Sequence, residues 1–268
     1  MIDPYLQSQY DNSGKIAGSA ELVGRYPVQA TAFRARHAHA EYALPYGSDP
    51  RQQLDIFWPG SGRDAPLALF IHGGYWQRGD RSQWSHVAAG LVTHGIAVAV
   101  PSYPICPAVS MTALVDAVRD VVPFLHHRHG KPVFVTGHSA GGHLAAMLLA
   151  TDWAAYGLPA DAISAAMPIS GLFDLAPLRL TSINDALGMD AAEAHALSAR
   201  FLPAPGRPFR AVVGGDEGPE YFQQSRGLAD AWAGRWETLA GHHHFSIVDE
   251  LADPASRLVA IAIELQHK

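Results

Sequence analysis

Short apolar runs rich in β-branched residues alternate along the chain with segments whose apolar positions recur every three to four residues. That arrangement belongs to a mostly parallel sheet wrapped by helices. Gln53–Trp58, Leu67–Ile71, Ile96–Val100, Pro132–Thr136, Ala162–Ile169, Phe209–Val213 and Arg235–Leu239 are the predicted strands. Between them, Gln83–His94 sets Trp84, Val87, Ala88, Leu91 and Val92 on one helical face, with Gly95 as the stop. Ser110 predicts the cap of a helix carrying Leu114, Ala117, Val118, Val121, Val122 and Leu125, which Pro123 should kink or split. Ala140–Ala150, Pro219–Ala233 and Pro254–Leu265 complete the predicted helices. From Leu172 to Pro208 the alternation lapses into prolines and short helical pieces such as Asp190–Arg200. This stretch is expected to be a cap inserted into a single α/β domain spanning 1–268. The first ~40 residues, polar with scattered aromatics, are expected to pack over the sheet edge or the mouth of the site.

Composition narrows the classes. At 268 residues, 48% hydrophobic and 16% charged, the chain can bury a full core, which excludes intrinsic disorder. Twenty-five acidic residues against 19 basic give a formal charge of −6, and no Lys/Arg run makes a stripe for a polyanion, so nucleic acid is not an expected partner. No apolar run approaches the roughly 18 residues of a membrane span. Met1-Ile2-Asp3-Pro4-Tyr5 does not read as a secretory signal, and the single cysteine, Cys106, cannot close an internal disulfide; a cytoplasmic setting is expected. Cys106 lies outside the motifs below and reads as a small buried residue. Fifteen histidines raise the question of metal. No H-E-x-x-H string is present, and His126-His127-Arg128-His129 before Gly130 reads as a solvated helix C-terminus, so neither metal nor cofactor is expected.

The chemistry concentrates in three places. Between a predicted strand and an Ala/Leu-rich helix stands Gly137-His138-Ser139-Ala140-Gly141-Gly142. A G-x-S-x-G string there makes a tight turn that exposes Ser139 at a helix N-terminus, the arrangement of a serine nucleophile. After the strand Leu67–Ile71 comes His72-Gly73-Gly74-Tyr75-Trp76. Glycines there let the amides of Gly73 and Gly74 converge with that of Ala140 on a developing oxyanion, while His72 reads as a structural fastener of the loop. Past the late strand, Asp216 and Glu217 are both candidates for the acid, and beyond the last strand His242, His243 and His244 are candidates for the base. The chain order Ser, acid, His is that of the α/β-hydrolases.

At these residues the sequence resembles the kynurenine formamidase (arylformamidase) branch of the α/β-hydrolases. Beside the two glycine motifs, the resemblance rests on Gln53-Leu54-Asp55-Ile56-Phe57, Ser170-Gly171-Leu172-Phe173-Asp174-Leu175, Thr181-Ser182-Ile183-Asn184 and His244-Phe245-Ser246-Ile247, and spans nearly the whole chain. It implies an α/β-hydrolase fold with a mostly parallel central sheet. It also implies that the acid is Glu217, three residues after Gly214, and that the base is His244, directly before Phe245. Many members carry aspartate at the acid position, so this chain either places the longer side chain in the triad or shifts the role to Asp216. His242 and His243 are then expected to serve the loop itself.

The resemblance implies a small-molecule substrate, N-formyl-L-kynurenine, cleaved by Ser139, His244 and Glu217 through an acyl-enzyme. The alternative is a carboxylesterase for small aryl or short-chain acyl esters. Tyr75, Trp76 and Tyr103 follow strand ends on the ligand-binding edge of such a sheet and are expected to line an aromatic slot. The oligomeric state is left open, with a homodimer as one option.

Overall fold

Five consecutive parallel strands lie side by side with both faces covered, and their near-continuous Val, Ile, Leu and Ala sequences suit that burial. In the computed structural model, which describes residues 1–267, the sheet has eight strands. They are β1 (Ala40–Pro45), β2 (Gln53–Phe57), β3 (Leu67–Ile71), β4 (Ala97–Pro101), β5 (Val133–His138), β6 (Ile163–Ile169), β7 (Arg210–Gly214) and β8 (Arg235–Leu239). Their spatial order is β1-β2-β4-β3-β5-β6-β7-β8; β1 and β2 are antiparallel to their neighbours and the rest run parallel. β5 is central, so its C-terminal end lies at the middle of one sheet edge.

The helices are α1 (Pro4–Tyr10), α2 (Asn12–Lys15), α3 (Ser19–Arg36), α4 (Ala89–Thr93), α5 (Met111–Arg119), α6 (Val121–His129), α7 (Ala140–Leu149), α8 (Asn184–Leu187), α9 (Ala191–Ala196), α10 (Pro219–Ala231) and α11 (Arg257–Gln266). None among the described residues is long and apolar enough to cross a membrane.

Each predicted strand is present within one or two residues of its predicted limits. Three helical expectations change. The Gln83–His94 segment forms 3₁₀ turns at Arg81–Gln83 and Ser85–Ala88 before the short α4, in which a Cβ on Gly90 would lie 2.5 Å from the Leu251 carbonyl oxygen. The Ser110 hydroxyl caps α5 as expected, accepting from the Ala113 N–H at 3.2 Å. The break, however, falls at Asp120 rather than at Pro123, which occupies the first turn of α6, where its missing N–H costs no helical bond. The closing helix starts at Arg257, capped by Ser256, rather than at Pro254.

Leu172–Pro208 folds as 3₁₀ turns at Ala176–Leu180 and Ala199–Phe201 around α8 and α9, and no strand occurs in it. It buries Phe173, Leu175 and Leu178 in the same core as the sheet.

The N-terminal segment is more ordered than its composition suggests, giving three helices and the edge strand β1. Helix α3 packs on the 3₁₀ turn at Ser85–Ala88, with Tyr26 and Ala30 buried. Its far end is fastened to the sheet through Asp55, whose side chain is 2% exposed. That carboxylate accepts from Arg34 Nη2 at 2.7 Å, Arg81 Nε at 2.9 Å and the Ala43 N–H at 2.9 Å. Removing it leaves two cations without their shared partner, a loss that typically costs several kcal/mol. Asp55→Ala is expected to lower unfolding stability by about 3 kcal/mol in guanidinium titration and to make 19–36 the first segment cut by limited proteolysis.

Candidate active site

Strand β5 ends and α7 begins across one residue, Ser139, whose φ of 58° and ψ of −118° lie where L-residues are strained. Two glycines make the turn fit. A Cβ on Gly137 would lie 2.3 Å from the Gly141 carbonyl oxygen, and one on Gly141 would lie 1.9 Å from that of Ile71. The Ser139 N–H donates to the Ile169 carbonyl at 2.8 Å, which ties the turn to β6.

The buried His244 ring places Nε2 3.0 Å from Ser139 Oγ and Nδ1 2.7 Å from Glu217 Oε2. A carboxylate can only accept, so Nδ1 carries the proton and Nε2 is free to accept from the serine hydroxyl. Glu217 Oε1 accepts from the Ser170 hydroxyl and, at 2.8 Å, from the Gly214 N–H. Its side chain is 1% exposed, whereas Asp216 faces solvent. Of the two candidate acids, therefore, Glu217 is the one brought to the histidine.

The Gly73 loop lies against the serine: a Cβ on Gly73 would stand 3.1 Å from Ser139 Cβ. Gly74, Tyr75 and Trp76 follow with φ of 122°, 51° and 58°, a run of left-handed residues that folds the loop back on Arg78. Among the described residues, the N–H groups of Gly73, Gly74 and Ala140 meet no backbone acceptor. A cavity of about 400 Å³ opens on Ser139 and His244, with walls largely apolar from Val23, Tyr26, Pro27, Trp84 and Phe245.

The chain as a whole is similar to known proteins. The BD-FAE family model matches residues 54–158. A Danio rerio protein named kynurenine formamidase is 32% identical over 239 residues, which cover 84% of this chain and 81% of that relative. The chain belongs to the kynurenine formamidase family. A Salmo salar protein of the same name is 30% identical with the same coverage, 84% and 81%. A crystal structure from Silicibacter sp. tm1040, provisionally described as a thioesterase, superposes with a TM-score of 0.90 at 36% identity, covering 96% of this chain and 98% of that one. The Pyrobaculum calidifontis esterase, at 16% identity and a TM-score of 0.75 over 100% and 99% of the two chains, shares the α/β-hydrolase fold. The protein is thus a hydrolase of serine-hydrolase type.

Within this family frame, not every expected residue reaches the cavity. Tyr75 lines it, and its hydroxyl joins a chain in which Asn12 Nδ2 donates to the Tyr221 hydroxyl at 2.7 Å and Tyr221 lies 2.8 Å from Tyr75. Trp76 and Tyr103 do not line it. The left-handed loop turns Trp76 down into the core, fully buried and edge-on to His143 at 5.2 Å. Tyr103 stacks on His72 at 4.4 Å and donates to the His72 carbonyl at 2.8 Å, which makes it a support beneath the loop. His243 Nδ1 accepts from the N–H groups of Phe245 and Ser246, and His242 Nε2 lies 3.5 Å from Glu250, so both hold the loop that carries His244. Among the described residues, no group of three or more His, Cys, Asp or Glu side chains is arranged to hold a metal ion.

Several residues beside His244 were not among those expected. Tyr26 lines the cavity from α3 and donates to the Phe245 carbonyl at 2.7 Å, beside His244. Tyr221 and His138 each pack their rings 4.7 Å from that of His244. His138 Nε2–H donates to the His244 carbonyl at 2.7 Å. Only His138 had a cue, its place inside the serine motif.

Burial keeps several imidazoles neutral. Desolvation pushes His72, His86 and His143 down from the ordinary 6.5 to about 4, and His138 well below 6.5. Between those values the unfolded chain binds more protons than the folded one, so stability rises with pH there. It is complete above about pH 6.5 and is lost as the pH falls towards about 4. The denaturation free energy is expected to decline over that interval by up to about 1.4 kcal/mol per pH unit for each such histidine, and His143→Gln should make the slope shallower.

Proposed function

We propose that the protein is an arylformamidase that hydrolyses N-formyl-L-kynurenine to L-kynurenine and formate. The observation that carries this reading is the Ser139–His244–Glu217 hydrogen-bonded chain at the base of an apolar cavity, in a chain 32% identical to a protein named kynurenine formamidase.

The three side chains form a catalytic triad. Ser139 Oγ attacks the formyl carbon while its proton passes to His244 Nε2. Glu217 holds the Nδ1–H and stabilises the imidazolium that results. The carbonyl oxygen gathers negative charge, and the open amides of Gly73, Gly74 and Ala140 form an oxyanion hole for it at the positive end of α7. Collapse of the tetrahedral species breaks the C–N bond as His244 returns its proton to the leaving nitrogen, freeing the aniline and leaving formyl-Ser139. Water, deprotonated by His244, then attacks the formyl ester and releases formate and the serine. An aniline is a better leaving group than an alkyl amine because its nitrogen is less basic, so a serine triad suffices without a special amide-activating group. The apolar walls suit the arene, and the formyl group needs little room beside Ser139.

A carboxylesterase or thioesterase would use the same machinery. The Silicibacter structure, 36% identical and provisionally described as a thioesterase, favours that second reading.

Ser139→Ala is expected to abolish labelling by a fluorophosphonate probe and to lower kcat/KM by about 10³ or more, and Glu217→Gln to lower it about 10²- to 10⁴-fold. The purified enzyme should show a higher kcat/KM for N-formyl-L-kynurenine than for p-nitrophenyl acetate. An ester preference of several orders of magnitude would overturn the substrate reading and leave the triad standing.

A further inference from the structure

A second recess of about 260 Å³ adjoins the cavity that holds Ser139. The two share Asn12, Ser13, Gly74, Tyr75 and Arg78 in their walls, so a single ligand can extend from one into the other. Their linings differ in kind. Where the reaction cavity is largely apolar, the recess is built from Gln7, Asp11, Asn12, Gln77, Arg78 and Ser182. It forms where the N-terminal segment, the Gly73 loop and the Leu172–Pro208 insertion converge. Among the hydrogen bonds at that junction, the Ser182 N–H donates to Gln7 Oε1 at 2.8 Å, Gln77 Nε2 donates to the Ile183 carbonyl at 3.1 Å and the Asp3 N–H donates to the Leu180 carbonyl at 2.8 Å.

Two opposite charges in this recess lack partners. Among the described residues, Arg78 has no acid within ion-pair distance, and Asp11 has no base. Asp11 Oδ1 accepts from the Gly14 N–H at 2.9 Å, and its other oxygen meets no donor among the described residues. Both residues line the recess beside Tyr75, whose phenol burial pushes to a higher pKa, with Arg78 opposing that rise and Asp11 adding to it. Arg78 is also anchored close to the reacting centre. A Cβ on Gly74 would lie 2.3 Å from the Arg78 carbonyl oxygen and 3.0 Å from its Cγ, so this side chain starts directly over the glycine that follows Gly73.

We propose that this recess is the binding site for the α-amino-acid end of the substrate, with the Arg78 guanidinium taking the carboxylate and the Asp11 carboxylate taking the ammonium. The assignment rests on the formamidase reading above and extends it to specificity. A zwitterionic amino acid carries one charge of each sign on a single carbon, and the recess offers one unpaired charge of each sign. A guanidinium presents paired donors that match a carboxylate, and a carboxylate accepts from an ammonium. With the arene in the apolar cavity and the amino acid in the polar recess, the formyl group is left at Ser139. Aryl formamides and esters that lack the amino acid gain nothing from the recess.

Calorimetric titration of the Ser139→Ala protein separates binding from turnover. N-formyl-L-kynurenine is expected to bind at least about tenfold more tightly than 2-formamidoacetophenone, which keeps the ring, ketone and formamide but not the amino acid. Adding Arg78→Met should reduce that preference about tenfold. Asp11→Asn, which keeps an oxygen for the Gly14 N–H, should also reduce it, and Arg78→Lys should retain part of it. Equal affinity for the two ligands, absence of binding by both, or equal weakening of both by Arg78→Met would overturn the assignment. Turnover of N-formyl-L-kynurenine by the wild type without this preference would refute the recess and spare the formamidase reading. The preference without turnover would refute the formamidase reading and spare the recess.

Discussion

The strained backbone of Ser139 is the constraint on which the site depends. A non-glycine residue held at positive φ with a ψ of −118° typically costs about 1–3 kcal/mol and persists only where its surroundings over-determine it. Here the surroundings are backbone against backbone: Gly137 against Gly141, and Gly141 against the end of β3. No side chain fits between them, so α7 is pressed onto the sheet and its first turn is fixed relative to the Gly73 loop. The same contact thus sets the hydroxyl, the Ala140 amide and the loop bearing Gly73 and Gly74.

The histidine is positioned by a different route. Its loop carries no regular strand or helix at His244, and it is fastened from outside by His138, Tyr26 and Tyr221. Two of these fasteners come from elements far from the serine in sequence. Tyr26 belongs to α3, which the buried Asp55 ion cluster holds to the sheet, and Tyr221 belongs to α10, whose hydroxyl network runs through Tyr75 and Asn12. The N-terminal segment therefore does more than cover an edge. It forms one wall of the cavity at Ser139, part of the adjoining polar recess and one tether of the histidine loop.

The central strands were legible because a strand buried on both faces must be apolar throughout, and that run survives in one dimension. The serine turn and the Gly73 loop were legible for a related reason, since close backbone approach admits only glycine and leaves a fixed spacing. The helices were less so. Pro123 marks a helix start rather than a kink, and Gln83–His94 holds 3₁₀ turns before a short helix that packs at Gly90 against the Leu251 carbonyl, a contact more than 150 residues distant in the chain.

The α/β alternation and the candidate serine, with its order relative to an acid and a histidine, are legible in the chain alone, because each depends on local spacing or on the chemistry of single residues. The folded chain alone brings Glu217 rather than Asp216 to His244, because that depends on which carboxylate the turn after β7 directs inward. It likewise sent Trp76 and Tyr103 into the core while bringing Tyr26 and Tyr221 to the site. Strand-end position tells which edge of the sheet a residue occupies, but the direction of its side chain is set by loop dihedrals and by packing partners distant in sequence. No local pattern encodes those contacts.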